Sequence, residues 1–146
     1  MNTSAATTAP ATVTTEQLQQ ALHELFAPWV QALDLRVQGT APGEATLRLP
    51  HSEQLTRLGG MLCGQAMMAA ADTAMVLALI SHFGQFRPCS TVQLSSTFLK
   101  PLSSQDALIT ARVLRAGKSM AFGEIDISGA DDGKSVFRAS TTYALM

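Results

Sequence analysis

The segment GGMLCGQAMMAAADTAMVLALI, from Gly59 to Ile80, constrains everything around it. From Met61 to Ile80, every residue other than Cys63, Gly64, Gln65, Asp72 and Thr73 is Ala, Met, Leu, Val or Ile. A helix this apolar on all sides is expected to be buried all round. Its twenty residues also match the length of a bilayer span. Asp72 near the middle argues against that, because a carboxylate there costs about 2.5–3.5 kcal/mol on insertion scales. Six of the twenty residues are Ala, which adds little lipophilicity, and no aromatic belt flanks the run. The segment reads as a core helix, not a membrane span.

Downstream the periodicity changes. Thr91 to Leu99, Ala107 to Arg115, Ser119 to Ser128 and Ser135 to Leu145 read as strands, with turns at Pro101–Ser104, Ala116–Lys118 and Asp131–Lys134. In the third of them, Ala121, Gly123, Ile125 and Ile127 alternate with Phe122, Glu124, Asp126 and Ser128, giving one small apolar face. The short connections predict an antiparallel meander of all four.

Upstream, Thr15 is the expected cap of a helix from Glu16 to about Leu33, and Glu16 suits its positive end. Leu18, Leu22, Leu25, Phe26, Trp29, Val30 and Leu33 form an apolar stripe that packs on a sheet more readily than it binds a cofactor. Pro28 lies inside the stripe and should kink or split the helix. Leu35 to Val37 and Ala45 to Leu49 read as short strands around the turn Ala41-Pro42-Gly43. Early strands, one buried helix and a later set of strands give an α+β architecture, a sheet wrapped around a central helix.

The chain has 146 residues, which fits one domain, with no internal repeat and no linker able to separate two. Ten Lys and Arg against eleven Asp and Glu leave no basic surplus, so nucleic acid is not an expected partner. Only 14% of residues are charged, well below the usual quarter or so, which implies apolar surface hidden in a subunit contact. Cys63 and Cys89 cannot build a disulfide framework, and His23, His51 and His82 have no ligand spacing, so neither a metal nor another cofactor is expected. Residues 1–14, rich in Ala and Thr, lack the basic and apolar regions of a secretory signal. They read as a floppy tail on a cytoplasmic protein.

Asp72 is the residue to explain, because an ionised carboxylate among apolar side chains is expensive unless paired or functional. It is either an anchor bonded to a backbone group or an Arg, or a general base or nucleophile tuned by burial. Ahead of it, Gly59-Gly60-Met61-Leu62-Cys63-Gly64 enters the helix. Glycines there let a ligand approach the backbone, and the first helical N–H groups have no intrahelical acceptor. They could bind a carbonyl or oxyanion, or simply form a flexible helix entry. Cys63 and Asp72, nine residues apart, are separated by about 13.5 Å and about 900° of rotation, hence on opposite faces. Two antiparallel copies of the helix could bring Asp72 of one to the Cys63–Gly64 end of the other. Cys63 reads as a small buried thiol sooner than a nucleophile, since no His or Asn can be tied to it. Arg115 and Lys118 on a turn, and Arg87, could hold phosphates or be solvated charges.

Together these residues resemble a known family, the hotdog-fold acyl-CoA thioesterases of the phenylacetate-degradation (PaaI-like) group. The resemblance spans about Gly59 to Leu145. It is carried by Gly60-x-x-Cys63-Gly64, by Ala71-Asp72-Thr73-Ala74, by the strand Thr91 to Pro101, and by Arg112 to Lys118. It implies a single hotdog domain over 15–146 that hydrolyses an acyl-CoA thioester at a dimer interface. Asp72 would be the base or nucleophile, the Gly64 N–H would polarise the carbonyl, and Thr91 would orient the attacking water. The hairpin of Arg115, Lys118 and Ser119 would meet the nucleotide end of CoA. Asp72 and Gly64 would come from different subunits of a homo-oligomer, either a homodimer or the dimer of dimers common in the family.

The family usually reads Asn-x-x-Gly-x-x-His-Gly-Gly before the helix. Here the matching, substrate-facing positions are Arg57, Gly60, Cys63, Gly64 and Gln65, so Asn, His and the last Gly are replaced. Backbone donors survive such changes, but each lost orienting hydrogen bond is worth ~1 kcal/mol or more, and Gln65 adds bulk. The expected activity is weak, altered or absent. Arg57 could pair with a carboxylate or touch substrate. The triple departure also motivates a second reading, a non-catalytic acyl-CoA-binding hotdog protein; a hotdog dehydratase is more distant, as its His motif is missing.

Overall fold

The computed structural model describes residues 12–146, so most of the expected N-terminal tail lies outside the described residues. Its end does not float: Val13 is buried, and Thr14, not Thr15, caps the first helix, α1 (Thr15–Leu25). The Thr14 hydroxyl accepts the Gln17 N–H at 3.1 Å, and the Gln17 side chain accepts the Thr14 N–H at 2.8 Å. This reciprocal cap selects Thr14 because Gln17 stands three residues on, where Thr15 has only Leu18. Pro28 splits the helix, starting a second turn, α2 (Pro28–Gln31), at a position that needs no N–H. The amide of Gln31 donates to the carbonyls of His23 (3.1 Å) and Phe26 (2.7 Å) near the break. Of the predicted stripe, Leu18, Leu22 and Leu33 are buried, whereas Trp29, beyond the break, is 64% exposed.

Strands β1 (Arg36–Ala41) and β2 (Glu44–Leu49) form a hairpin around Pro42-Gly43, with Gly43 at φ 74°. A small ribbon of β3 (Thr56–Arg57) and β4 (Met61–Leu62) follows, and then the central helix α3 (Gly64–Phe83). The helix starts three residues later than the composition suggests. Gly59 and Gly60 have positive φ, and the N–H groups of Leu62 and Cys63 bond to the carbonyls of Leu102 and Leu55, both at 2.8 Å. Residues 61–63 are therefore extended.

The main sheet has the order β1-β2-β6-β7-β8-β5, where β5 is Cys89–Phe98, β6 Ala107–Ala116, β7 Met120–Gly129 and β8 Ser135–Leu145. Only β6, β7 and β8 form the expected meander. Strand β5 lies at the far edge, antiparallel to β8. The link 99–106 crosses three inter-strand spacings, about 14 Å, and eight residues can reach roughly 26 Å. A short connection therefore did not oblige its strands to be neighbours.

The sheet curls around α3 and buries most of it, including Ala70, Ala74, Met75, Leu77 and Ala78. It does not cover the helix all round. Gln65, Met68, Ala69, Asp72 and Val76, spaced by one, three and four residues, keep one stripe open to solvent in the single chain. Beside that stripe Gly123 of β7 admits the Met75 side chain. A β-carbon at Gly123 would collide with Met75 and stand 2.8 Å from the Arg112 carbonyl oxygen. Backbone cannot yield as a side-chain end can. Gly123→Ala should therefore lose about 1–3 kcal/mol and lower Tm by about 3–10 °C, as thermal unfolding followed by circular dichroism will show; an unchanged Tm contradicts this packing.

Candidate active site

Asp72 sits in the third turn of α3, on the uncovered stripe and half-buried. Its Oδ1 accepts the hydroxyl of Thr91 on β5 at 2.8 Å and, more closely still, the phenol of Tyr143 on β8. The same phenol donates to the Asp72 main-chain oxygen at 2.9 Å. Among the described residues the ion pairs are Arg36–Asp34, Arg48–Asp106, Arg112–Glu44 and Arg138–Asp126, so no cation clamps Asp72. Two neutral hydroxyls fix one carboxylate oxygen and leave Oδ2 for chemistry.

Thr91 reaches this position through a defect in the sheet. Inward-facing Thr141, Ala139 and Phe137 of β8 stand opposite Leu94, Ser96 and Phe98, so even-numbered positions of β5 face the helix there. Between Thr91 and Gln93 the register shifts: Thr91 opposes Tyr143 while Gln93 opposes Thr142. Val92 is the extra residue of a bulge, and the parity of β5 reverses beyond it. Thr91 and Cys89 turn toward α3, and Val92 is left 57% exposed. Thr141, itself buried, donates to the Gln93 carbonyl at 2.8 Å and holds the bulge in place.

The electrostatics follow from this enclosure. Burial, and then the facing Asp72 charge, hold the Tyr143 phenol well above its ordinary range, so it remains a protonated donor. The half-buried Cys89 thiol is pushed up by the same two causes in the same order, which makes it a poor nucleophile at neutral pH.

The N-terminus of α3 forms a second locus. Cys63 is the N-cap and supplies no side-chain cap, so among the described residues no side chain answers the first-turn N–H groups, Gly64 among them. A cleft of about 450 Å³ opens there, lined by Arg57, Leu62, Gly64, Met67, Phe98 and Lys100 among others. Gly64 is hemmed by the Phe98 ring, whose Cε1 would lie 3.1 Å from an added β-carbon. Of the other expected substrate residues, Gly60 turns the chain at φ 82°, Cys63 is half-buried, and Gln65 is exposed on the open stripe.

Arg115, Lys118 and Ser119 are exposed at the β6–β7 turn and make no hydrogen bond or ion pair with Asp72, Thr91 or Gly64. Arg87 lies over the Phe83 ring at 5.3 Å and donates to the Lys118 carbonyl at 2.7 Å, tying that turn to the end of α3. The structure thus joins Asp72 with Thr91, places Arg57 beside Gly64, and leaves the turn apart. Sequence reading missed Tyr143. The usable signal was a lone tyrosine in a strand, since a buried phenol needs a partner for its hydroxyl.

The model of the thioesterase superfamily matches residues 59–136. Human acyl-coenzyme A thioesterase 13 is 27% identical over 136 residues, covering 88% of this chain and 96% of that protein. The zebrafish thioesterase superfamily member 2 structure superposes with a TM-score of 0.82 at 25% identity, covering 92% of this chain and 100% of the other. The PaaI protein of the phenylacetic acid degradation operon of E. coli shares the fold at TM-score 0.77 and 19% identity, over 90% of this chain and 95% of its own. With its sheet wrapped on a central helix in the hotdog fold and that family model spanning the helix and most of the later strands, the chain belongs to the thioesterase superfamily.

Proposed function

We propose that the protein hydrolyses an acyl-CoA thioester to the free acid and CoA, in a site shared by two copies of the chain. Family membership supports thioester hydrolysis in general, and the relative named an acyl-coenzyme A thioesterase supports CoA as the thiol. The observation that carries the reading is the Asp72 carboxylate, pinned at Oδ1 by two hydroxyls, free of any cation among the described residues, and set on the open stripe of α3.

In this reading Oδ2 either takes a proton from water, whose hydroxide adds to the thioester carbon, or adds to that carbon itself. In the second case a mixed anhydride forms and water then cleaves it. Either way the carbonyl oxygen becomes an oxyanion before the CoA thiolate leaves, and a helix-start N–H is suited to meet it. Gly64 and Asp72 of one chain are eight residues apart, about 12 Å along the helix axis. A reacting carbon must lie within roughly 3 Å of both attacking group and oxyanion donor. One chain therefore cannot serve both ends, and an antiparallel partner helix can. The stripe from Gln65 to Val76 and the edge strand β5, with Val92, Phe98 and Leu99 exposed beside it, offer the apolar surface for that partner. Arg57 and Lys100 at the cleft suit the anionic groups of CoA.

Release of free thiol from short-chain, long-chain and aromatic acyl-CoAs tests the proposal. Turnover of at least one class supports it. Thermal stabilisation by CoA esters with no thiol released would contradict it and favour the non-catalytic binding protein, which the replacements at Arg57, Cys63 and Gln65 motivate.

A further inference from the structure

We propose that Tyr143 is a positioning residue for Asp72: together with Thr91 it locks Oδ1, so that Oδ2 alone is presented to the reacting centre. The inference rests on the thioesterase reading and assigns a role that Asp72, Gly64 and Thr91 leave unfilled. Tyr143 is only 1% exposed and comes from the closing strand, directly opposite Thr91 across the β5–β8 pair. Its hydroxyl has one proton, and of its two acceptors on Asp72 the carboxylate Oδ1 is the nearer, with the main-chain oxygen at 2.9 Å the weaker branch of a shared bond. The charged oxygen therefore takes the larger share of that proton. Thr91 approaches the same oxygen from β5, so two donors on separate strands converge on Oδ1, and rotation of the carboxyl about its Cβ–Cγ bond would break both bonds. The bulge at Val92 and its Thr141 bond fix one donor; full burial fixes the other. Thr91, Cys89 and Tyr143 are the titratable or polar groups these strands turn toward Asp72, and none is a cation.

The test is Tyr143→Phe, which keeps the ring and removes the hydroxyl. If the phenol positions the carboxylate, kcat falls about 10- to 100-fold, the worth of one hydrogen bond to a charged group, while KM stays within about twofold. In an Asp72→Asn background the same change should have little further effect on kcat, because Tyr143 acts through Asp72. Wild-type kcat in Tyr143→Phe, or an undiminished effect without the carboxylate, would overturn the proposal. Should Tyr143→Phe fold poorly, the single tyrosine allows a second measurement. Protein made with 3-fluorotyrosine carries the label only there, and its fluorine resonance should move on Asp72→Asn and stay in place on a surface change such as Lys134→Gln. An unmoved resonance in Asp72→Asn would overturn the contact. A wild-type protein that hydrolyses no acyl-CoA sinks the thioesterase reading instead, and the fluorine measurement then still decides whether phenol and carboxylate are joined.

Discussion

Asp72→Asn is expected to lower kcat by about 100- to 10,000-fold, the range typical of losing a positioned general base, while the fold and Tm stay close to wild type. Thr91 and Tyr143 both donate to Oδ1, and the Asn side-chain carbonyl accepts the same two bonds. Only Oδ2 changes, from an anionic oxygen to an amide nitrogen with no proton-accepting role. The effect should fall on kcat with a smaller change in KM, because the lost interaction belongs to the reaction and not to binding. Steady-state thiol release by the purified variant measures this directly, and an Asn variant as fast as wild type would remove Asp72 from the chemistry.

Gly64→Pro should lower kcat by about 100- to 1,000-fold, the loss seen when one oxyanion donor is deleted. Gly64 is the first residue of α3, a position where proline is favoured because its missing N–H has no intrahelical acceptor. Cys63 before it is already extended, at φ −71° and ψ 147°, as a residue preceding proline must be. The substitution thus deletes one hydrogen-bond donor and spares the helix. The added carbons press on Phe98, and Gly64→Ala controls for that contact: it makes the same 3.1 Å approach but keeps the N–H, and should lose less than tenfold. Equal losses in Ala and Pro would show that crowding, not the donor, limits the site.

The parts of this arrangement differ in how legible they were. The central helix could be read because a long run of Ala, Met and Leu admits few other structures, and Asp72 stood out because it was the one charge in that run. The inner face of β7 was equally plain, as Ala121, Gly123, Ile125 and Ile127 alternate without interruption. Strand β5 hid its geometry, and Thr91 entered only through the resemblance. Val92 and Leu94 look like an inward pair, yet the bulge sends Val92 outward and Thr91 in, and parity reversals leave no mark in hydrophobic spacing. The placement of β5 beside β8 was hidden for a related reason, because link length bounds distance without choosing a neighbour. The cap shifted from Thr15 to Thr14 on the identity of a side chain three residues away. The open stripe on α3 was invisible because its residues, Gln65 and Asp72 apart, are as apolar as the buried ones.

The shared site is the central claim, and a mixed dimer tests it most directly. Differently tagged Asp72→Asn and Gly64→Pro chains, each inactive alone, can be co-expressed and the doubly tagged species purified. If Asp72 of one copy works with Gly64 of the other, one of the two sites in each mixed dimer is assembled wholly from unaltered residues. Thiol release should then recover to about half the wild-type rate per dimer. If each chain supplies both groups to its own site, every site carries a defect, and the mixed dimer will be no faster than its parents.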